Sequence, residues 1–312
     1  MPLLLALWLW QCGVPARAAA MKAVPPSAFQ LELAAIARDA RGTVGLSAEL
    51  VETGAHVDLL GGERFPMQSV FKLPVALQVL HLVDEGKIRL DRPVALAAAD
   101  MRRGRSPLRD QHPDGVTLTV EEMLRWMLTE GDNSAADALL RLGGGPAGVT
   151  ARLNALGVDR VRVDRGEAEL ARDLLDGDQA AFDAYLQDPR DTATPYAMSA
   201  LLVAITRGNT LKPPSQERLL RWMTETQTGL QRIRALLPAG TVVADRTGGG
   251  PDRGGVNSCT NDVAIITLPD GRHIAIAVFI KGSRATGDER DRTIARLARA
   301  VYDRWLPPAA AR

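Results

Sequence analysis

The chain has 312 residues, 46% of them hydrophobic and 24% charged, with a formal net charge of +1. That length can bury a large core in one large domain or two intimate ones. Acidic and basic residues are interspersed, which argues against nucleic acid or an anionic membrane surface as a partner.

Residues 3 to 10 form a short apolar run, and Ala16-Arg17-Ala18-Ala19-Ala20 supplies small residues after it. This reads as a secretory signal peptide over residues 1–20, cleaved after Ala18 or Ala20, which would place the mature protein in the periplasm or outside the cell. The run lacks a basic leader, and Cys12 after Trp10-Gln11 is a poor lipoprotein context. Cys259 is then the single cysteine of the mature chain, read as a small buried residue without a disulfide partner. No later stretch is long and apolar enough to span a bilayer.

An amphipathic helix is expected over 27–40. Strands follow at 43–52 and 56–60 around a Thr53-Gly54 turn. From Ser69 to about residue 207 the pattern is mostly helical, cut by glycine- and proline-rich loops. Thr119 is a candidate N-cap for a helix over 121–128. A helix over 133–142 is closed by Gly143-Gly144-Gly145-Pro146. Two helices are expected at 216–226 and 230–236, then strands at 241–245, 262–268 and 273–280. Asp270-Gly271 marks the hairpin between the last two. Thr286 or Asp288 starts a C-terminal helix that reaches Trp305. Trp126, Trp222 and Trp305 sit at helical spacings and read as core.

Strands at both ends with helices between them imply an α/β fold of the α+β type. An antiparallel sheet, flanked by the N- and C-terminal helices, is built from residues 27–62 and 212–306. An all-α domain, residues 63–211, is inserted into it.

Candidate chemistry begins at Ser69-Val70-Phe71-Lys72. Serine and lysine three residues apart share one helix face, and the serine sits where the helix starts, near the positive end of its dipole. A hydroxyl becomes a nucleophile when a neighbour takes its proton, and a desolvated lysine one turn away can do so. Alone, the pair reads equally as a helix start with a surface lysine. Further along come Gly131-Asp132-Asn133, Arg165-Gly166-Glu167 and Arg246-Thr247-Gly248. Each has a plain reading as well: helix capping for Asp132 and Asn133, and a solvated loop carboxylate for Glu167. Arg165 and Asp191 are placed to pair across the neck of the loop that carries Glu167. His56, His81, His112 and His273 are scattered, so no metal site is expected. Neither Gly143-Gly144-Gly145 nor Gly248-Gly249-Gly250 carries the lysine and hydroxyl of a phosphate loop.

Taken in order, these segments resemble the class A serine β-lactamases and, more distantly, the penicillin-binding proteins, whose motifs are Ser-x-x-Lys, Ser-Asp-Asn and Lys-Thr-Gly with a glutamate between the last two. The likeness covers roughly residues 28 to 305 and extends to Ser106-Pro107-Leu108, Asp191-Thr192-Ala193-Thr194-Pro195, Leu236-Leu237-Pro238-Ala239-Gly240, Asn261-Asp262 and Leu268-Pro269-Asp270-Gly271-Arg272.

The resemblance implies a β-lactamase/transpeptidase-like fold and hydrolysis of the β-lactam amide of penicillins and cephalosporins, with no cofactor, by a monomer. Ser69 would attack the lactam carbonyl, with the backbone N–H groups of Ser69 and Gly249 holding the oxyanion. Lys72, or Glu167 through a water, would take the serine proton, and Glu167 would then activate water to release the acyl group. Asn133 would hold the substrate side chain and Lys72. Arg246 and Thr247 would meet the substrate carboxylate, arginine replacing the family's usual lysine.

Further departures are Gly131, in place of the serine that protonates the departing nitrogen, Ala171 in place of an asparagine beside the hydrolytic water, and Arg105 where an aromatic residue borders the site. The stretch 174–187 makes the glutamate loop about ten residues longer than is common in the family. The alternatives are a D-alanyl-D-alanine carboxypeptidase related to the penicillin-binding proteins, or a slowly turning-over pseudoenzyme that binds β-lactams or peptidoglycan.

Overall fold

The computed structural model describes residues 25–307. The expected signal peptide and Cys12 lie outside the described residues. Among the described residues no helix is long and apolar enough to cross a membrane.

The main sheet is antiparallel. Its strands run in the spatial order Ala55–Leu59, Thr43–Leu50, His273–Ser283, Val256–Thr267 and Val243–Gly249. The short strand Asp252–Arg253 pairs back onto Val256–Thr267. Successive side chains of a strand point to opposite faces, and here each face has its own core. From His273–Ser283, Ile274, Ile276, Val278 and Ile280 face one core with the helices Ala28–Ala37 and Gly287–Trp305, where Leu33, Ile36, Leu297 and Val301 are buried. Ala275, Ala277 and Phe279 face the other, which runs on into the helical part of the molecule. The two terminal helices are fixed by capping boxes at Ser27 with Gln30 and at Thr286 with Glu289, each satisfying N–H groups that a helix start leaves without partners.

The helical part packs Lys72–Asp84 centrally, with Val120–Arg125, Asn133–Leu142 and Gly145–Ala155 near it. Pro195–Thr206 lies against the sheet, and Phe65 stacks on Phe279 with centroids 5.9 Å apart. Thr119 caps Val120–Arg125 through a capping box with Glu122, and the helix then widens into a π turn over Trp126–Glu130. Turns of this kind concentrate at functional sites, and this one ends at Gly131.

Some elements differ from the sequence expectation. The segment between Ser69 and residue 207 also holds a two-stranded ribbon, Pro93–Ala97 with Gly115–Thr119. Val94 and Leu96, like Val116 and Leu118, alternate with exposed or polar neighbours, but each strand is only five residues long. The strand that carries Arg246 starts later and runs on through Gly249. Its partner reaches back to Val256, because pairing with that strand extends both. Trp222 is buried, whereas Trp126 and Trp305 are half-buried at the edges of their cores.

Phe279 is fully buried between the sheet and Phe65. Phe279→Ala is expected to lower the unfolding free energy by about 3–5 kcal/mol, read by denaturant titration. A loss of under about 1 kcal/mol would contradict this packing.

Candidate active site

Ser69 lies in a tight turn, Gln68–Phe71, that leads directly into the helix Lys72–Asp84. Several contacts pin this turn. The Asn261 side-chain amide donates to the carbonyls of Pro66 (2.8 Å) and Met67 (3.0 Å). The Met67 N–H donates to the Asp191 carbonyl at 2.9 Å. Gly248, opposite Asn261 in the sheet, approaches so closely that a Cβ there would lie 2.3 Å from the Met67 carbonyl oxygen. Any other residue would push the strand away from the serine. The Gln68 side chain donates to the Tyr185 hydroxyl, and the Gln68 backbone is held at φ 45°.

Lys72 is 0% exposed. Its Nζ donates to Asn133 Oδ1 (2.6 Å) and to the Gly131 carbonyl (2.8 Å), and it lies 3.0 Å from Glu167 Oε1. Desolvation drives the Lys72 pKa down to about 8, with the Glu167 carboxylate pulling the other way. The same Glu167 oxygen accepts from Ser69 Oγ at 3.4 Å. Serine, lysine and glutamate therefore meet directly, and a carboxylate stands within reach of the serine proton.

Asp132 and Asn133 are caps and also more than caps. Asp132 accepts from the Ala135 N–H and so starts the helix Asn133–Leu142. It also takes the Leu108 N–H at 2.8 Å and the Ser106 hydroxyl at 3.2 Å. Asn133 donates its amide to the Arg103 carbonyl while its oxygen holds Lys72. Ser134 is turned away from the cleft, bonded to Ser106 Oγ and the Arg102 N–H.

Glu167 opens a short helix, Glu167–Ala171. Its backbone N–H and that of Ala168 donate to the Asp137 carboxylate, at 2.6 and 3.1 Å. The neck of the loop is closed by Arg165, whose Nε donates to Asp191 Oδ2 at 2.6 Å and which also pairs with Asp173. Past the neck, Asp178 caps a further helix, Gln179–Gln187, which buries Phe182 and Tyr185. This part of the loop is structured chain that bonds back to the nucleophile turn through Tyr185.

Arg246 and Thr247 lie beneath the cleft. Arg246 is 1% exposed, with Nε bonded to the Ser69 carbonyl (3.1 Å) and Nη1 to the Leu128 carbonyl (3.1 Å). Burial lowers its pKa to about 10, so it stays cationic at neutral pH. The Thr247 hydroxyl shares a 2.7 Å hydrogen bond with Thr228. Gly249 lines the cleft itself, a cavity of about 300 Å³ whose walls include Ser69, Asn133 and Glu167. Arg103 and Arg105 stand at the same cleft, and Arg103 pairs with Asp176 of the glutamate loop. Ala171 lines it too. Among the described residues no group of three or more His, Cys, Asp or Glu side chains is placed to hold a metal ion.

Sequence reasoning did not single out Asp137, Gln68 or Tyr185. Asp137 carries a usable signal, since it stands one helical turn after Asn133 and so shares its face. Tyr185 carries none, because its contact with Gln68 joins segments 117 residues apart.

Comparison with known proteins agrees on one relationship. A family model described as the β-lactamase enzyme family matches residues 28–305. The extended-spectrum β-lactamase PER-1 of Pseudomonas aeruginosa is 35% identical over 242 residues, 77% of this chain and 75% of that one. The β-lactamase VEB-1 of the same organism is 33% identical over 245 residues, 78% of each chain. Among solved structures, a β-lactamase from Chitinophaga pinensis DSM 2588 superposes with a TM-score of 0.82 at 36% identity, covering 88% of this chain and 98% of that one. An ancestral class A β-lactamase superposes with a TM-score of 0.79 at 37% identity, covering 89% of this chain and all of the other.

Asp137→Ala removes the acceptor for two backbone N–H groups of the glutamate helix. A loss of about 1–3 kcal/mol is expected for each buried donor left without a partner, along with faster hydrogen exchange at Glu167 and Ala168. Unchanged exchange at both amides would show that Asp137 does not hold this segment.

Proposed function

This chain belongs to the class A serine β-lactamase family, and on that premise we propose that it hydrolyses the β-lactam amide of penicillins and cephalosporins through an acyl-enzyme on Ser69. The observation that carries this is the meeting of Ser69 Oγ and Lys72 Nζ on a single Glu167 oxygen, at 3.4 and 3.0 Å.

Glu167 accepts the hydrogen bond of the Ser69 hydroxyl, so it takes the Ser69 proton as Oγ attacks the lactam carbonyl. The negative charge that develops on the carbonyl oxygen is met by the backbone N–H groups of Ser69 and Gly249, fixed dipoles that need no rearrangement. Cleavage of the C–N bond leaves an ester on Ser69 and an amine nitrogen that takes a proton from solvent water, while Glu167 passes the serine proton back to solvent. Glu167, returned to its carboxylate, then draws a proton from water attacking that ester. The oxygen of that water ends in the product carboxylate, and Ser69 regains its proton. Throughout, the Lys72 ammonium fixes the orientation of Glu167 and Asn133. Arg246 contributes positive potential beneath the cleft for the substrate carboxylate, and Thr247 a hydroxyl. Asn133 meets the substrate side-chain amide. A glutamate held beside the nucleophile favours hydrolysis over long-lived acylation, which weighs against the carboxypeptidase and pseudoenzyme alternatives.

We read the chain as two units, 27–62 with 212–306 and 63–211, with the cleft at their seam. The nucleophile turn on one side and the strand Val243–Gly249 on the other support this. We also take the protein to work outside the cytoplasm, on the strength of its apolar, small-residue start, and as a monomer.

Glu167→Ala is expected to acylate with benzylpenicillin and then stall, with turnover down by about 10²–10⁴-fold and an adduct visible by intact mass. Ser69→Ala should give neither adduct nor turnover. Full turnover by either variant would remove the assignment. The pH dependence follows from Lys72. Above about 8 it loses its proton and, with it, a donor among Asn133, Gly131 and Glu167. The kcat/KM profile should therefore fall on an alkaline limb near that pH. A rise through the same range would instead make neutral Lys72 the base.

A further inference from the structure

Two departures from the family motifs, Gly131 and Arg246, stand 115 residues apart in the chain and touch in the fold. A Cβ built on Gly131 would lie 3.2 Å from Arg246 Nη2, with Thr228 Cγ2 at 3.3 Å and Arg105 Cδ at 3.5 Å around it. Arg246 Nη2 therefore lies tightly against the position from which a side chain at residue 131 would start. Gly131 is also held at φ 73°, where side-chain-bearing residues are strained. The rest of the guanidinium is already committed. Nε donates to the Ser69 carbonyl and Nη1 to the carbonyls of Met127 and Leu128 at the π turn. Nη2 has no hydrogen-bond partner among the described residues, and it is not one of the sealed, unpartnered polar atoms of the interior. The group is thus held from two sides, with Nη2 left beside Gly131, whose own carbonyl takes Lys72.

We propose that Arg246 Nη2 is the hydrogen-bond donor to the departing lactam nitrogen, standing in for the hydroxyl that Gly131 lacks. This rests on the reading of the cleft as a β-lactam site. When the C–N bond of the tetrahedral intermediate breaks, its electron pair stays on nitrogen. A cationic N–H donor stabilises that pair, and charge-assisted hydrogen bonds are about twice as strong as neutral ones. The guanidinium keeps its charge. The nitrogen takes one proton from solvent water, and Glu167 returns the serine proton to solvent, so the step consumes no net proton. A glycine at 131 then makes room for the donor that replaces the missing serine. Arginine suits the role better than lysine, because two of its nitrogens can anchor while the third works.

The test uses the whole protein as the parent, Arg246→Lys, Gly131→Ser, and the double variant. The readouts are single-turnover acylation by benzylpenicillin, kcat and KM, and the thermal midpoint of each. Arg246→Lys is expected to slow acylation by roughly 10²-fold, with the loss in kcat rather than KM. Gly131→Ser should also slow it, since its side chain meets Nη2. The double variant should acylate faster than either single one, because lysine vacates the space and the hydroxyl takes over.

Losses that simply multiply in the double variant would overturn the inference. So would an Arg246→Lys protein that acylates at the parent rate, or one altered only in KM as a carboxylate-binding role requires. If Gly131→Ser does not fold, the kcat-against-KM split of Arg246→Lys decides alone. A parent that hydrolyses while the two sites act independently leaves the proposed function standing without this inference. A parent that neither acylates nor turns over removes both.

Discussion

A lysine ammonium with no exposure to water is the constraint on which the site depends. Burying a charge is expensive unless it is paired and hydrogen-bonded. Lys72 meets that cost with three acceptors from two parts of the chain: the Glu167 carboxylate on one side, and the Asn133 amide oxygen and Gly131 carbonyl on the other. The lysine therefore gathers the glutamate loop, the start of the helix Asn133–Leu142 and the end of the π turn around the nucleophile. None of these segments can drift without stranding the charge. The residues behind them continue the same logic. Asp137 takes the backbone of the glutamate helix, Asp132 the segment at Ser106 and Leu108, and Asp191 both the Arg165 side chain and, through its carbonyl, the nucleophile turn.

The sheet supplies the opposite wall, and its contribution is closeness rather than charge. Gly248 and Asn261 stand opposite one another in neighbouring strands and both reach the Pro66–Met67 backbone, one by lacking a side chain and the other by donating from one. Arg246 then runs under the serine from the same strand and bonds its carbonyl. Arg246 Nη2 lies beside Gly131, whose backbone is held where glycine is at ease.

Much of this was legible in the sequence, wherever the signal was local or carried by motif order. The Ser69–Lys72 spacing, the caps at Thr119 and Thr286, and the Asp270-Gly271 hairpin follow from short-range rules. The antiparallel sheet with an inserted helical part follows from where the apolar periods change. The pairing of Arg165 with Asp191 was also readable, because opposite charges flank the neck of a loop.

What stayed hidden required knowledge of depth or of distant partners. Nothing local in the sequence shows that Arg246 Nε and Nη1 bond the carbonyls of Ser69, Met127 and Leu128, the last two at a π turn that no local pattern announces. Tyr185 gives no hint of Gln68. The ribbon Pro93–Ala97 with Gly115–Thr119 forms from strands of five residues, short runs whose pairing partner lies across an intervening helix and loop. The central claim is that Ser69 carries a transient acyl group which Glu167 clears. The most direct measurement is a time course of intact mass for the unmodified protein with benzylpenicillin. The expected result is a gain equal to the whole drug, located on Ser69, that rises and then returns to the free mass as substrate is consumed. An adduct that persists after the drug is removed, or no adduct and no turnover, would contradict it.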